Sequence, residues 1–222
     1  MIPILVITFA VSLIIGMPIA FAMGFSSLLA LLLGSEIPLT LIPQRIVVSL
    51  DSFPLMAVPL FILAGQLMNY GGITKRIIAF SNAIVGHIRG GLSHVNVVAS
   101  MIFAGVSGSS TADAAGIGSV LIPAMVKEGY DEDWAIDITA ASSTIGPIIP
   151  PSILMVIYGS ITQLSIGLLF LVGLIPGIAI GLALIVVGYF LAIMRKQEKK
   201  RRSSLKNLWK AFKDAFPALL AP

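Results

Sequence analysis

The sequence has no cysteine and little charge. Without cysteine the chain can form neither a disulfide nor a thiolate metal site. Charged residues make up 11% of its 222 residues, whereas soluble domains carry about 25%. Residues 1–35 and 138–194 contain no Asp, Glu, Lys, Arg or His. With 57% hydrophobic residues and a mean hydropathy of +1.03, the composition predicts an all-α integral membrane protein and excludes a soluble domain.

The basic residues are concentrated after the last long apolar run. Nine Lys or Arg lie between Arg195 and Lys213. We interpret this cluster as a membrane-surface flank and not as a nucleic-acid-binding patch. The positive-inside rule then places this flank in the cytoplasm, together with the segments around 75–89 and 127–133. The first residues lack a basic n-region and a small-residue cleavage site, so we predict no signal peptide.

Before residue 73, apolar and polar segments alternate. Residues 2–33 are apolar, but Gly16-Met17-Pro18 interrupts them, and proline disrupts a helix interior. They form either one kinked crossing or two short crossings joined by a tight turn. Residues 35–52 are predicted to be a polar connection, and Phe53–Tyr70 to be the next apolar block.

Two later segments have the pattern of amphipathic helices. In residues 73–88 and again in residues 203–216, apolar side chains recur at helical spacing while basic side chains occupy the other faces. We expect both segments to lie in the membrane interface as arms.

The central feature is a run of small polar residues, Gly105–Asp113, between two apolar arms. As helices, the arms Ser93–Val106 and Ser110–Val126 are roughly 20–25 Å long, shorter than the ~30 Å hydrocarbon core. Irregular backbone at membrane depth must be covered by protein or line a polar cavity. The pattern favours a re-entrant helical hairpin with this run at its tip. Two ordinary short spans with an external loop are the alternative.

A second break lies in the next apolar segment. Trp134–Tyr158 has aromatic residues at both ends, which is typical of interface anchors. Its middle, Ser142–Ser152, contains three prolines and a glycine and cannot continue a helix. We predict a broken crossing whose centre lies at the depth of the hairpin tip. Leu164–Met194 is predicted to form the next crossing.

Both breaks carry the groups from which ion-coupled transporters build their sites. Exposed helix N-termini attract anions, and unwound carbonyls with hydroxyls bind Na⁺. The candidate oxygen donors are Ser107, Ser109, Ser110, Ser142, Ser143 and Thr144, with the carbonyls around Gly108, Gly146 and Pro147. Close helix packing is the alternative role for small residues, and we expect it for Ala112, Gly116 and Gly118.

Asp113 is the only charged residue between His94 and Lys127. A carboxylate at membrane depth indicates a functional site, but the first turn after the tip also suits a helix N-terminus, and both interpretations stay open. His87 and His94 are predicted to be polar groups of the interface. Residues Gly105–Gly108 match the G-x-S-G pattern of rhomboid proteases. Because no histidine follows His94 to activate a serine, we predict no enzyme activity.

Four stretches together resemble one family. They are Gly105–Asp113, Ile117–Tyr130, Ile145–Ser152 and Asp51–Gly65. Over nearly its whole length the chain is similar to the large membrane subunit of tripartite ATP-independent periplasmic (TRAP) transporters. That subunit has two inverted repeats, and this chain resembles the first.

The resemblance implies an elevator-type transporter fold. The implied divisions are scaffold helices (1–72), an interfacial arm (73–90), a transport element (91–158, with the hairpin at 91–128 and the broken helix at 130–158), a transmembrane helix (164–195), a basic cytoplasmic flank with the second arm (196–216) and the start of the missing second repeat (217–222). A single repeat is expected not to transport by itself.

The resemblance also implies a function, namely Na⁺-driven import of organic acids of the dicarboxylate, keto acid or sialic acid type across the bacterial inner membrane. The implied partners are a small membrane subunit and a periplasmic substrate-binding protein. The expected Na⁺ ligands are Ser107, Gly108, Ser109, Ser110, Ser143, Thr144, Gly146 and Pro147. The expected substrate contacts are Ser109, Ser110, Thr111, Asp113 and Pro150. A non-transporting scaffold or channel subunit is the alternative function.

Overall fold

A computed structural model describes residues 1–34, 37–51, 53–200 and 202–220. These residues form helices and no strand. In chain order the helices are α1 (Ile2–Ile14), α2 (Ile19–Gly34), α3 (Leu41–Leu50), α4 (Phe53–Tyr70), α5 (Ile73–Val85), α6 (Gly91–Ser107), α7 (Ser110–Lys127), α8 (Glu132–Ser143), α9 (Ile153–Thr162), α10 (Ile166–Met194) and α11 (Leu205–Leu219). The chain divides into two compact units, Met1–Phe53 and Pro54–Pro222.

The first unit contains two short apolar helices that pack against each other. Of the two alternatives for residues 2–33, the structure has the tight turn: α1 ends at Ile14, and Gly16 takes a φ of +85° before α2 begins. The prediction of a polar connection over residues 35–52 is wrong for residues 41–50, which form α3. Pro43 stands in the first turn of that helix, where a missing N–H is tolerated. Residues 35, 36 and 52 lie outside the described residues.

The second unit begins with α4 and contains both predicted arms. The first arm is α5, and it packs against α6 and α11, with Ile77 and Ser81 fully buried. The second arm is α11, which begins at Leu205 and continues past the predicted end at residue 216 to Leu219. Pro217 therefore belongs to this helix, while residues 221 and 222 lie outside the described residues. The two arms meet through aromatic rings, with the Phe80 and Phe212 centroids 5.8 Å apart.

Helices α6 and α7 form the predicted helical hairpin. They are joined by Gly108 and Ser109 alone and pack against each other. At the base of the hairpin, the Leu92 backbone N–H donates to the Tyr130 hydroxyl at 3.2 Å. Burial raises the pKa of Tyr130 to about 12.

Helices α8 and α9 are the two halves of the predicted broken segment. Helix α8 ends at Ser143, turns and bends follow, and α9 begins at Ile153 with Ser152 as its N-cap. The Ser152 hydroxyl accepts from the Met155 N–H at 3.2 Å, which satisfies one orphan donor of the new helix.

A buried polar cluster joins α6 to α8. Asn96 donates from Nδ2 to the Thr139 hydroxyl at 2.7 Å and accepts at Oδ1 from the Ser142 hydroxyl at 2.9 Å. Ser100 donates to Ser142 at 3.1 Å. All four side chains are at most 3% exposed. Because every partner is internal, the cluster fixes the register of the hairpin against the broken segment.

Helix α10 packs against this assembly through glycines. Gly173, Gly177 and Gly181 recur every four residues on one face, and a Cβ added at Gly173 would lie 2.8 Å from the Ile148 carbonyl oxygen. The small residues thus allow close approach of helices, as is common in membranes. Among the described residues, α10 is the one unbent helix that is both long and apolar enough to span a bilayer. The shorter apolar helices are α1, α2, α6 and α9.

The protein itself buries two of the side chains that the sequence predicts to lie at the membrane interface. His94 is fully buried, and its ring centroid lies 6.4 Å from that of Tyr189 on α10. Trp134 is 3% exposed and lies beneath the Arg195 guanidinium, which is 5.3 Å from its ring centroid. In both cases α10 and its basic flank cover a side chain that the sequence alone places at a helix end.

Candidate functional site

The hairpin tip contacts the break between α8 and α9. Gly108 has a φ of +58°, and its carbonyl accepts from the Ile153 N–H at 3.4 Å. A Cβ at this position would lie 2.6 Å from the Pro151 carbonyl oxygen. Glycine is therefore required twice here, for the left-handed backbone and for the close approach of the two breaks.

Ser107 and Asp113 are joined across the tip. The Ser107 hydroxyl donates to Asp113 Oδ1 at 2.5 Å, and the Ser109 N–H reaches the same hydroxyl at 3.4 Å. Helical side chains lean toward the N-terminus, so Asp113, in the first turn of α7, reaches back over the tip to the last residue of α6. The carboxylate is fully buried.

The second carboxylate oxygen, Asp113 Oδ2, is buried without a hydrogen-bond partner. It faces the backbone of Gly146 in the break: a Cβ at Gly146 would lie 2.9 Å from Oδ2 and 3.1 Å from the Ser109 carbonyl oxygen. Oδ2 and the Ser109 carbonyl therefore converge on one place. In the described residues, neither of the two ion pairs involves Asp113.

The break contributes hydroxyls and carbonyls that are already partly engaged. The Ser143 hydroxyl donates to the Ala140 carbonyl at 2.8 Å, and the Thr144 hydroxyl donates to the Ala141 carbonyl at 2.7 Å. The Pro147 carbonyl accepts from the Ser152 hydroxyl at 2.5 Å. Each of these oxygens keeps a free lone pair, so each can still act as a ligand.

These groups fit a hard cation. Carboxylate, carbonyl and hydroxyl oxygens are ligands for such ions. Asp113 Oδ2 is the buried oxygen of this group that has no hydrogen-bond partner. No cluster of three or more His, Cys, Asp or Glu occurs in the described part of the chain. The donor set at the tip therefore consists of one carboxylate and neutral oxygens, which are the oxygen ligands that hard cations prefer.

A cavity of about 610 Å³ lies beside the tip. Its lining residues are Phe61, Ile62, Gly65, Gln66, Asn69 and Tyr70 of α4, Phe103 and Ser107 of α6, Ser109, Thr111, Ala112 and Ala115 around α7, and Ile153 of α9. No charged side chain is among these described lining residues. The volume suits a small organic molecule, and the lining residues Ser109, Thr111 and Ala112 place the start of α7, its positive dipole end, at the cavity wall.

The structure divides the predicted site residues into two groups. Ser107, Ser109, Asp113 and Gly146 are brought together at the tip, with Ser143, Thr144 and Pro147 in the adjoining break. Of the predicted substrate contacts, Ser109 and Thr111 line the cavity, whereas Ser110, Asp113 and Pro150 are not among its lining residues. A carboxylate in the lining would repel an anion, so it is physically reasonable that Asp113 lies behind the lining residue Ser107 and not in the lining itself.

Sequence reasoning missed the α4 wall of the cavity. Gln66 and Asn69 are polar residues in an otherwise apolar helix, and that mismatch is the signal that could have found them. The packing role that we predicted is confirmed for Gly116, which faces Phe103, and for Gly118, which faces Thr139. Ala112, however, lines the cavity.

Comparison with known proteins gives the family. The family model described as tripartite ATP-independent periplasmic transporter, DctM component, matches residues 6–222. The sialic acid TRAP transporter large permease protein SiaM of Vibrio cholerae is 44% identical over 207 residues, covering 93% of this chain and 48% of that protein. The C4-dicarboxylate large permease DctM of the same species is 43% identical over 93% of this chain and 46% of its own length.

A third relative differs in its named substrate. The 2,3-diketo-L-gulonate TRAP transporter large permease protein YiaN of Escherichia coli is 36% identical over 94% of this chain and 49% of that protein. The chain thus spans about half the length of these curated relatives. Because the family model and these relatives match nearly every residue described above, the chain belongs to the large permease (DctM) family of TRAP transporters.

Proposed function

We propose that this chain forms the ion-binding half of a secondary transporter that imports organic acids with Na⁺. The observation that carries the proposal is Asp113 Oδ2, which is buried and unpartnered beside the Ser109 carbonyl at the hairpin tip. Secondary transporters bind coupling ions at such broken helices, where unwound backbone supplies ligands. The relatives' printed names, which refer to sialic acid, a C4-dicarboxylate and a diketogulonate, support an organic acid as the substrate.

A monovalent cation would balance the single negative charge of the Asp113 carboxylate. An ionised carboxylate removed from water is costly unless a cation accompanies it. Asp113 has no basic side chain among its described partners, so a bound Na⁺ would supply the missing positive charge. Ser107 would orient the carboxylate through its hydrogen bond to Oδ1, and the Ser109 carbonyl and the oxygens of the break would complete the ligand shell.

Coupling between Na⁺ binding and substrate binding follows because the proposed ion site at Asp113 adjoins the cavity. Ser107 and Ser109 belong to both, since they line the cavity and also contact the Asp113 side of the tip. Neutralising Asp113 removes a negative charge next to the space where an anionic substrate would lie. The bound Na⁺ would also hold the tip against Gly146. The N–H groups at the start of α7 would then stay in position for the anion. Ion binding and substrate binding then favour each other without any catalytic residue.

The family supplies the wider setting of the proposal. We infer that the chain works in the bacterial inner membrane with a small membrane subunit and a periplasmic substrate-binding protein. We also infer that the hairpin and the broken helix move together as the carrier of an elevator, re-entering from the cytoplasmic side. A crosslink between α4 and α7 should then stop uptake and leave Na⁺ binding intact. Undiminished uptake in the crosslinked protein would contradict the movement.

The test uses the assembled transporter with its binding protein in proteoliposomes. Asp113→Asn and Ser107→Ala should raise the Na⁺ concentration for half-maximal uptake by about tenfold or more, because each removes a charge or a charge-assisted hydrogen bond at the ion. The matched control is Ser119→Ala on the same helix, where the exposed hydroxyl only donates to the Gly116 carbonyl. Wild-type Na⁺ dependence in both tip variants would assign these residues to packing. Uptake without any Na⁺ dependence would favour the scaffold or channel alternative.

A further inference from the structure

The α4 wall of the cavity carries two amide side chains opposite the hairpin tip. Ile62, Gly65, Gln66 and Asn69 follow one another at the spacing of a single helical face, and all four line the cavity. This face lies against the hairpin tip, since a Cβ on Gly65 would be in ordinary contact with Ser107 Cα at 3.6 Å. Two amides on the cavity-lining face of a helix whose other residues are mostly apolar indicate a polar partner in the cavity.

The Asn69 amide is oriented by a neighbour. The Thr74 hydroxyl, on the first turn of α5, donates to Asn69 Oδ1 at 2.8 Å, and Thr74 is only 3% exposed. Because Oδ1 accepts this bond, the other end of the amide, Nδ2, is left as the donor end. Nδ2 lies on the side of α7, about 3.6 Å from the position that a Cβ on Gly116 would take. This is an ordinary contact distance, and the two N–H donors of Nδ2 have no hydrogen-bond partner in the described part of the chain, while Asn69 itself lines the cavity.

The donors on the two walls differ in character. The tip wall has the N-terminus of α7, whose partial positive charge favours an anionic group. The α4 wall has the neutral amides of Asn69 and Gln66 and no cation, and the remaining surface is largely apolar, with Phe61, Phe103 and Ile153. An amide N–H pairs well with a neutral hydroxyl or keto oxygen, and it adds much less than a cation does for a second carboxylate.

We propose that Asn69 is a specificity-determining residue that donates from Nδ2 to a hydroxyl or keto oxygen of the transported acid, while the acid's anionic group lies at the tip. The proposal rests on the proposed transport function, and it names part of the substrate that function would carry. Thr74 acts as a positioning residue, because it touches only the amide and fixes which end faces the cavity.

Three variants separate recognition from packing. Asn69→Asp keeps an oxygen that accepts from Thr74 but removes both N–H donors and adds a negative charge. Asn69→Leu removes the amide and keeps a similar volume. Thr74→Val keeps the shape of Thr74 and frees the amide to rotate. The matched control is Asn207→Asp, an exposed asparagine on α11 that is remote from this cavity.

The assay compares pairs of acids that differ in one oxygen. Uptake by the assembled transporter is measured for malate against succinate and for isethionate against ethanesulfonate, with sialic acid as a third hydroxylated probe. Each variant is compared with wild type in the presence of the same binding protein, so the preference of that protein cancels. Na⁺ dependence is recorded for every variant.

The expected result is a loss of discrimination. Asn69→Leu should lower kcat/KM for the hydroxylated member of a transported pair, or for sialic acid, by about tenfold and leave the hydroxyl-free partner near wild type. Asn69→Asp should reduce uptake of every acid more than Asn69→Leu does. Thr74→Val should lower kcat/KM for the hydroxylated acid as Asn69→Leu does, but by a smaller factor. Na⁺ dependence should stay as in wild type throughout.

The two proposals fail in different ways. If wild type shows Na⁺-driven uptake and Asn69→Leu keeps both the kcat/KM and the oxygen preference of wild type, the role of Asn69 is refuted while the transport function stands. Equal losses for both members of a pair would also refute it, since they would indicate a packing role. If wild type shows no Na⁺-driven uptake of any probe, the proposed function fails, and this inference fails with it.

Discussion

Replacing Gly146 by alanine is the sharpest test of the geometry at the tip. The added Cβ would lie 2.9 Å from Asp113 Oδ2 and 3.1 Å from both the carbonyl carbon and the oxygen of Ser109. Comfortable contacts between such atoms are near 3.5 Å, so the tip and the break must separate by about 0.5 Å. Two of the three crowded atoms are backbone, and Asp113 is held by Ser107, so no flexible side chain can absorb the change.

A separation of that size is large for an ion site. Functional groups generally have to be held within about 0.5 Å of their working geometry. A misplacement of about 1 Å can lower a rate about a hundredfold, so half that distance corresponds to about tenfold. We therefore expect Gly146→Ala to raise the half-saturating Na⁺ concentration by about tenfold.

The assay is Na⁺-dependent uptake by the assembled transporter, with thermal stability measured on the same preparation. The control is Gly167→Ala, also in the second unit, where the nearest atom to the new Cβ would be Ser165 Oγ at 3.9 Å. Gly167→Ala should behave as wild type in both measurements. If Gly146→Ala keeps the wild-type Na⁺ dependence, the convergence of Asp113 and Ser109 on Gly146 has no part in ion binding, and the reasoning is refuted.

Two further predictions concern orientation and packing. Single cysteines at Asn82, Glu132 and Ser204, all exposed positions in a chain without other cysteines, should react with a membrane-impermeant reagent only from the cytoplasmic side. Reaction of the Glu132→Cys variant from the periplasm would contradict the re-entrant hairpin. Asn96→Ala should destabilise the protein by about 1–3 kcal/mol, seen as a lower Tm, because it removes two buried hydrogen bonds, to Thr139 and Ser142, each worth about 0.5–1.5 kcal/mol. An unchanged Tm would show that the polar cluster does not hold α6 to α8.

The breaks in the helices could be predicted because they depend on local chemistry. The run of glycine and serine around Gly108 and the clustering of three prolines in residues 147–151 favour breaks, so the hairpin tip and the broken segment follow from the sequence, whereas isolated residues such as Gly173 and Pro176 are accommodated inside α10. The prediction of a connection over residues 35–52 was wrong for a related reason. It counted prolines and charges but not their position, and Pro43 stands in a first turn where proline is tolerated.

The partners of individual side chains could not be predicted, because they depend on tertiary contacts. Asp113 could be identified as the lone charge, but its bond to Ser107 and its approach to Gly146 require the packed tip. His94 looked interfacial because it stands near a helix start, and only the packing of α10 shows that it is buried. The cavity face of α4 was missed because nothing in a single apolar helix tells which side meets the hairpin.

The hairpin is fastened at both ends, and this limits how it can move. Its base is closed by the bond from the Leu92 N–H to the Tyr130 hydroxyl, and its tip is joined to the break by the bond from the Ile153 N–H to the Gly108 carbonyl. The buried Asn96 cluster joins its middle to α8. A hairpin held at three levels moves as a rigid unit together with the elements it is bonded to, and it does not open by itself. All three connections lie within the hairpin and the broken helix, so the joint movement of these two elements that we propose would leave every one of them intact.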